Sequence, residues 1–236
     1  MTNEDSRRIA SVVRVSEFAK QWQLDTPPYG AVLKRLHAAA VRLPWLAMEQ
    51  QDAHSQWQGD SHVLDLLRID LRRKHLMKYG PMGKDAFKNV AGAEAVFTVP
   101  DARVSIPTLI EFADAMAKFI EKHMEEFLAL EQPTDLVDRM RAATERLRVH
   151  HRSIEESIAR QVAATAALAR EVPEARKDIK ILGGLLEDRL DEGGTFATQW
   201  HRAQRLGKRM GPPRGGKWKW RTRKEPPRRP PKAPPG

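Results

Sequence analysis

The segment from Thr134 to Val172 constrains the fold most, because it is a long stretch without proline. Its apolar residues repeat at close to 3.6 residues, as in an ordinary packed helix rather than a left-handed coiled coil. This stripe consists of Leu136, Met140, Ala143, Leu147, Ile154, Ile158, Val162 and Ala169. Ser153 and Glu156 have the form of a helix N-terminal capping box. The segment therefore predicts one long helix, or two helices with a break near residues 150–153.

Helical patterns also dominate the rest of the chain, and only Ala95–Val99 and Ala102–Ile106 are candidate strands. Proline and glycine divide the helical patterns, because proline cannot continue a helix and glycine often follows its end. The expected helices cover residues 5–24, 29–42, 45–51, 61–79, 108–131, 173–191 and 195–210. A capping box formed by Thr108 and Glu111 is expected to begin the fifth of these. Together the patterns predict an all-α fold with long C-terminal helices.

These patterns divide the chain into four regions. An N-terminal helical region (1–80) is followed by a linker or small hairpin that contains Gly and Pro (81–107). A long-helix region (108–210) comes next, and a disordered, basic, Pro-rich tail (211–236) ends the chain. We expect the body to self-associate through residues 108–190, because their apolar stripes are longer than one chain is expected to cover.

The positive charge of the chain is concentrated near its C-terminus. The whole chain has 41 Lys and Arg against 31 Asp and Glu. Residues 202–236 hold 13 of these cations and one acid, Glu225, which leaves 28 cations and 30 acids in residues 1–201. A nearly neutral body with a strongly basic tail is typical of a protein that binds a polyanion.

The tail also carries aromatic side chains, because residues 217–224 read KWKWRTRK. Lys and Arg neutralise phosphates, and Trp218 and Trp220 can stack on unpaired bases. The residues predicted to bind nucleic acid are Arg214, Lys217, Trp218, Lys219, Trp220, Arg221, Arg223, Lys224, Arg228, Arg229 and Lys232. Contacts to phosphates alone would not read a base sequence.

A second basic face is expected on the helix of residues 61–79, where Arg68, Arg72, Arg73 and Lys78 occur together. This face predicts contacts to phosphates. The structural alternative is equally simple, because cations near the C-terminal end of a helix interact favourably with its dipole.

No catalytic signature is present in the sequence. The chain has no cysteine, which excludes disulfides, thiol nucleophiles and Cys-ligated zinc. Residues 211–217 resemble a phosphate-binding loop, but its last position is Trp218 instead of Ser or Thr. A metal site in a polar loop with Asp52, His54, Asp60 and His62 is a minor alternative. The sequence therefore predicts a protein that is not an enzyme and that has no cofactor.

The function expected from the sequence is that of a nucleic-acid-binding or nucleoprotein-assembly accessory protein. The first alternative is a scaffolding protein whose Pro-rich tail docks a protein partner, for which Arg228, Pro231 and Pro234 are suitably spaced. The second is a peripheral protein of an anionic membrane surface. A homo-oligomer or a helical partner is also expected. Without a secretory signal or an apolar membrane-spanning run, a cytoplasmic location is expected.

Overall fold

The computed structural model describes residues 3–206, and every regular element within them is helical. In chain order these elements are α1 (Asn3–Gln21), α2 (Pro27–Leu71), a π turn (Arg72–Leu76), α3 (Met77–Ala86), α4 (Ala93–Phe97), α5 (Ile106–Lys122), α6 (Met124–Ala129), α7 (Leu136–Leu185), α8 (Glu187–Asp191) and α9 (Gly194–Gln204). The predicted all-α fold with long C-terminal helices is confirmed. The predicted disordered tail lies outside the described residues.

Helices α2 and α7 form an antiparallel pair that runs through the body. Contacts between them show the direction, because the residue number on α7 falls as the number on α2 rises. Arg35 lies 2.6 Å from Asp178, and Arg42 lies 3.2 Å from Glu171. Further along, the Gln50 amide donates to the Thr165 hydroxyl at 2.6 Å, whereas Ser153 donates to Asp60 at 2.7 Å.

Two separate apolar cores lie at the two ends of this helix pair. The first core contains residues of α1, the first half of α2, the second half of α7, and α9, with Leu36, Leu182 and Trp200 among its most buried side chains. The second core contains the π turn, α3, α4, α5, α6 and the first half of α7. Phe97 and Phe127 are almost completely buried there.

A polar section of the α2–α7 pair separates the two cores. Gln56 is central to it, because its amide donates to Ser153 and its carbonyl oxygen accepts from Arg160 at 2.5 Å. The Gln50 Oε1 and His54 Nδ1 atoms are buried without a hydrogen-bond partner in this part of the chain. An unpaired buried polar atom costs about 1–3 kcal/mol, so the stability of the pair comes from the two cores.

The predicted helix ends at proline are wrong at three places. Pro44 lies inside α2, Pro81 inside α3 and Pro173 inside α7. An internal proline costs about 3 kcal/mol because it lacks the N–H group and crowds the preceding turn. Burial next to it offsets that cost, since Leu43 and Leu46 beside Pro44 are both buried. The proposed break near residues 150–153 is also absent, because α7 is continuous from Leu136 to Leu185.

The π turn joins α2 to α3 and keeps buried residues on one side. Leu71 and Leu76 are both fully buried, although residues five apart in an α-helix point about 140° away from each other. The wider π turn reduces this angle, so both side chains reach the second core. Helix continues to Ala86 as a result, past the stop predicted at Gly80.

Residues 81–107 were expected to form a linker or a small hairpin. No hairpin is present there, and the short helix α4 lies within the segment. Phe97 of α4 fills the second core, stacking on Phe87 and meeting the edge of Phe119 with ring centroids 5.1 Å apart. The next helix also begins differently from the expectation. Ser105, not Thr108, is the N-cap of α5, and its hydroxyl accepts a hydrogen bond from the Thr108 N–H at 3.3 Å.

We expect Gly83→Ala to lower the free energy of unfolding by about 1–3 kcal/mol, the usual cost of overpacking. A Cβ atom at Gly83 would lie 2.3–2.5 Å from ring carbons of Phe97, which the other aromatic rings hold in place. The matched control is Gly30→Ala, where the added Cβ meets no atom of the described chain within 4 Å. Higher helix propensity should then raise the free energy of unfolding by about 0.5–1 kcal/mol. Urea denaturation measures both, and equal shifts would contradict the Phe97 packing.

Candidate nucleic-acid interface

The cations and tryptophans predicted to bind nucleic acid, Arg214 to Lys232, all lie outside the described residues. The part of the chain that the structure does describe ends at Leu206, and residue 207 is joined to it by a peptide bond. The surface of the body around Leu206 is therefore the place from which the basic segment continues.

One serine and one arginine of α1 bind the C-terminal end of α9. These contacts also fix the position of Leu206. Ser11 donates to the Gln204 carbonyl at 3.0 Å, and Arg14 donates to the Arg205 carbonyl at 2.6 Å. The last carbonyls of a helix have no partners inside that helix, so side chains from elsewhere must satisfy them. Trp200, one turn earlier, anchors the same helix in the first core.

Leu206 lines an open cavity of about 320 Å³ on the body surface. Basic side chains of two helices surround the cavity, because α1 contributes Arg8 and α7 contributes Arg176, Lys177 and Lys180. On α7 these three cations occur within five residues, which places them on adjacent turns of one helix. Sequence reasoning missed this cluster because its members are far apart along the chain, on α1 and near the end of α7.

Acids neutralise only part of this cluster. Arg8 pairs with Glu4 at 2.5 Å, and Lys177 pairs with Glu174 at 2.7 Å. For Arg176 and Lys180, no carboxylate of residues 3–206 lies within ion-pair distance. Exposed ion pairs are weak, so all four cations can interact with an anionic ligand, and the two without partners contribute net positive charge.

The predicted second basic face is largely used by the protein itself. Arg68 donates to the carbonyl oxygens of Ala102 and Val104, the latter at 2.6 Å. Arg72 donates to the carbonyl oxygens of Pro100 and Asp101 at 2.7 and 3.0 Å. These two guanidinium groups hold the loop between α4 and α5 against the helix. The helical run continues beyond Tyr79 to Ala86, although Arg68 lies in the last turn of α2 itself.

The remaining cations of that face do not form one cluster. Arg73 is exposed in the π turn that follows α2. The Lys78 ammonium lies 5.0 Å from the centre of the Tyr79 ring. Burial lowers the pKa of His75, and the neighbouring cations Lys74, Arg146 and Lys78 lower that pKa further while Asp70 opposes them. The described structure therefore leaves Arg73 and Lys78 as separate surface cations.

The residues of the minor metal-site alternative lie on helix α2 rather than in a loop. Asp52 and His62 are exposed on its outer side. Asp60 instead accepts a hydrogen bond from Ser153 of α7, and His54 contacts the Trp57 ring. Among residues 3–206, no group of three or more His, Asp or Glu side chains is arranged to hold a metal ion.

Comparisons with family models, curated proteins and solved structures return no match for this chain. None of the helices between residues 3 and 206 is long and apolar enough to cross a bilayer.

Proposed function

We propose that this protein is a non-enzymatic nucleic-acid-binding or nucleoprotein-assembly accessory protein. Its basic C-terminal segment would contact phosphates without reading a base sequence, and its helical body would carry that segment. Cytoplasmic location is part of this proposal, because a chain without cysteine suits a reducing compartment.

The distribution of charge is the observation that carries the proposal. Thirteen of the 41 Lys and Arg residues fall within 202–236, together with a single acid. Such a density of cations attracts a polyanion through release of its bound counterions. Interleaved Trp218 and Trp220 favour a single-stranded nucleic acid, whose unpaired bases offer free faces for stacking.

The basic cluster of the body supports the proposal independently of the tail. Arg176 and Lys180 lie beside Leu206, where the described chain ends, and Arg8 and Lys177 line the same cavity. Cations clustered around one cavity raise the local positive potential of the body surface. A phosphate chain that contacts this cavity would meet net positive charge from Arg176 and Lys180.

Salt dependence tests this function directly. We expect the logarithm of the association constant for a labelled single strand to fall with the logarithm of salt concentration, with a slope of about −3 to −4. This slope corresponds to about four to six cations that contact phosphates. Fluorescence anisotropy at several salt concentrations measures it, with oligonucleotides of scrambled sequence as controls for base reading.

Three results would contradict the proposal. An association constant that does not change with salt would favour the alternative in which the tail docks a protein partner. Strong binding to anionic liposomes without binding to nucleic acid would favour the membrane-surface alternative. A marked preference for one base sequence would refute the sequence-independent mode of contact.

A further inference from the structure

Helix α2 has a second apolar face on the side opposite the cores. The exposed positions 41, 45, 48, 52, 55, 59, 62, 66 and 69 of α2 and position 73 of the π turn follow one another at alternating intervals of four and three residues, and we call them the outer row. Five members of the outer row are apolar and between 46% and 65% exposed: Val41, Trp45, Met48, Leu66 and Ile69.

Single exposed apolar residues are ordinary, but a row of them at this spacing is the pattern by which one helix packs against another. A groove of about 520 Å³ lies along the second half of the outer row. Its walls are mostly apolar and are formed by Val63, Leu66, Leu67, Ile69, Asp70, Arg73 and Lys74. Within residues 3–206, no other helix covers this face.

The outer row is complementary to itself when two copies run in opposite directions. We propose that it is the interface of an antiparallel homodimer. The twofold axis would be perpendicular to the two α2 helices and would lie at the level of residue 57. Residues whose numbers sum to 114 then face each other. Trp45 then meets Ile69 of the second copy, and Met48 meets Leu66 of the second copy. Each of these two apolar pairs occurs twice because the dimer is symmetric. Trp45 would enter the apolar groove of the second copy.

Charge complementarity supports the second copy as the occupant. In this register Asp52 faces His62 of the second copy, again twice. Flanking side chains meet two residues out of the register of the row, so on one flank Arg42 lies beside Asp70 of the second copy. On the other flank Gln58 lies beside its own counterpart. No pair in the row or on its flanks brings two like charges together, which would otherwise oppose association.

Gly59 gives a further reason for close contact at the centre. A glycine inside a helix costs about 1 kcal/mol relative to alanine, and a Cβ atom at this position would meet nothing within 4 Å in the described chain. Packing inside the protomer therefore does not explain Gly59. In the proposed register it faces Ser55 of the second copy, so the smallest side chains lie nearest the axis, where the two helices approach most closely.

The size of the row agrees with a specific but modest interface. From residue 41 to residue 73 the helix is about 48 Å long, and a helix with its side chains is about 10 Å wide. These dimensions give about 500 Å² per copy and about 1,000 Å² in total, the lower limit of specific interfaces. The long helices of residues 108–190 are a poorer candidate, because Leu109, Met116 and Met140 of their stripes are fully buried within the chain.

Single-cysteine variants test both the contact and its direction, because the chain has no cysteine of its own. We expect Gln58→Cys to be joined to its counterpart by a short thiol-reactive crosslinker, since helix axes in contact are about 8–10 Å apart. The matched control is Gln51→Cys on the same exposed side of α2. Its counterpart would lie about 18 Å away along the axis, so little crosslinking is expected.

Sedimentation of the full chain measures the dimer itself. The wild-type protein should reach a mass near twice 26.8 kDa as its concentration rises. We expect Leu66→Glu to raise the dimer dissociation constant by at least about 30-fold, because it places two charges in the apolar contact. Val162→Glu, at an equally exposed apolar position of α7, should leave the dissociation constant unchanged. Circular dichroism spectra that match the wild-type spectrum would show that both variants fold.

Three outcomes would overturn the proposal. The first is a wild-type protein that remains monomeric at high micromolar concentration, which would leave the outer row to a different partner. The second is a dimer that Leu66→Glu does not weaken. The third is a crosslinking yield of Gln51→Cys equal to that of Gln58→Cys, which would exclude the antiparallel register. Dimerisation does not depend on the nucleic-acid proposal, and neither experiment requires a nucleic acid.

Discussion

Deletion of residues 211–236 is expected to lower the affinity for a single-stranded oligonucleotide by at least about 100-fold at low salt. The deletion removes nine cations: Arg214, Lys217, Lys219, Arg221, Arg223, Lys224, Arg228, Arg229 and Lys232. The free energy of unfolding should hardly change, because every buried residue of the two cores lies between Ile9 and Ala203. Anisotropy and urea denaturation of the full and shortened chains measure the two quantities.

Two further variants separate the parts of this effect. Replacement of Trp218 and Trp220 by Ala should weaken binding of a single strand by about 1–3 kcal/mol for each base stack lost, and should affect a duplex less. Replacement of Arg176 and Lys180 by Gln should reduce the magnitude of the salt slope by about 0.7 for each lost phosphate contact. Equal affinities of the full and shortened chains at moderate salt would refute the role assigned to the tail.

Trp200→Ala is expected to lower the free energy of unfolding by about 3–5 kcal/mol, the range for truncating a large buried aromatic residue. Trp200 is 2% exposed and lies between α1 and α7. Its ring centre is 5.4 Å from that of Phe18, and its Cζ2 atom would be 3.3 Å from a Cβ placed at Gly183. The absence of a side chain at Gly183 thus makes room for the indole of Trp200. Replacement of Trp200 by alanine would leave a cavity in place of the indole.

Urea denaturation of the isolated variant gives the size of this loss. The control is Val162→Ala, an exposed truncation that should change the free energy of unfolding by no more than about 0.5 kcal/mol. A loss below about 1 kcal/mol for Trp200→Ala would show that α9 contributes little to the first core. Domains of this kind are stable by about 5–15 kcal/mol, so the expected loss is a large part of the total.

The all-α class could be predicted from sequence because helical periodicity depends on neighbouring residues alone. The apolar stripe of Thr134–Val172 was recognised correctly as helix, and Gly193 marks the start of α9 as expected. Helix ends were predicted less well. Pro44 and Pro173 are strong local stop signals, but burial of residues beside them against distant helices outweighs the local cost, and that burial cannot be read from a short window.

The candidate site was only partly predictable for the same reason. Clustered cations within 202–236 are visible in the sequence itself. Proximity of Arg8 to Arg176 and Lys180 depends on how α1 packs beside α7. At Arg68 and Arg72 the sequence instead predicted a binding face that the structure uses for internal contacts. Their spacing indicated a free basic face, but the loop that follows α4 returns to them and its carbonyl oxygens accept their hydrogen bonds.

The two cores acquire their residues at different times during synthesis. Buried residues of the second core form one uninterrupted stretch, from Leu71 to Leu147, so this core can close while the ribosome is still adding α7. The first core joins Ile9–Leu46 to residues from Leu168 onward. At about 5–20 residues per second, its first half is exposed for roughly 6–24 s before its partner is made. We therefore expect the newborn chain to expose an apolar N-terminal segment while the second core can already fold, a state that is prone to aggregation.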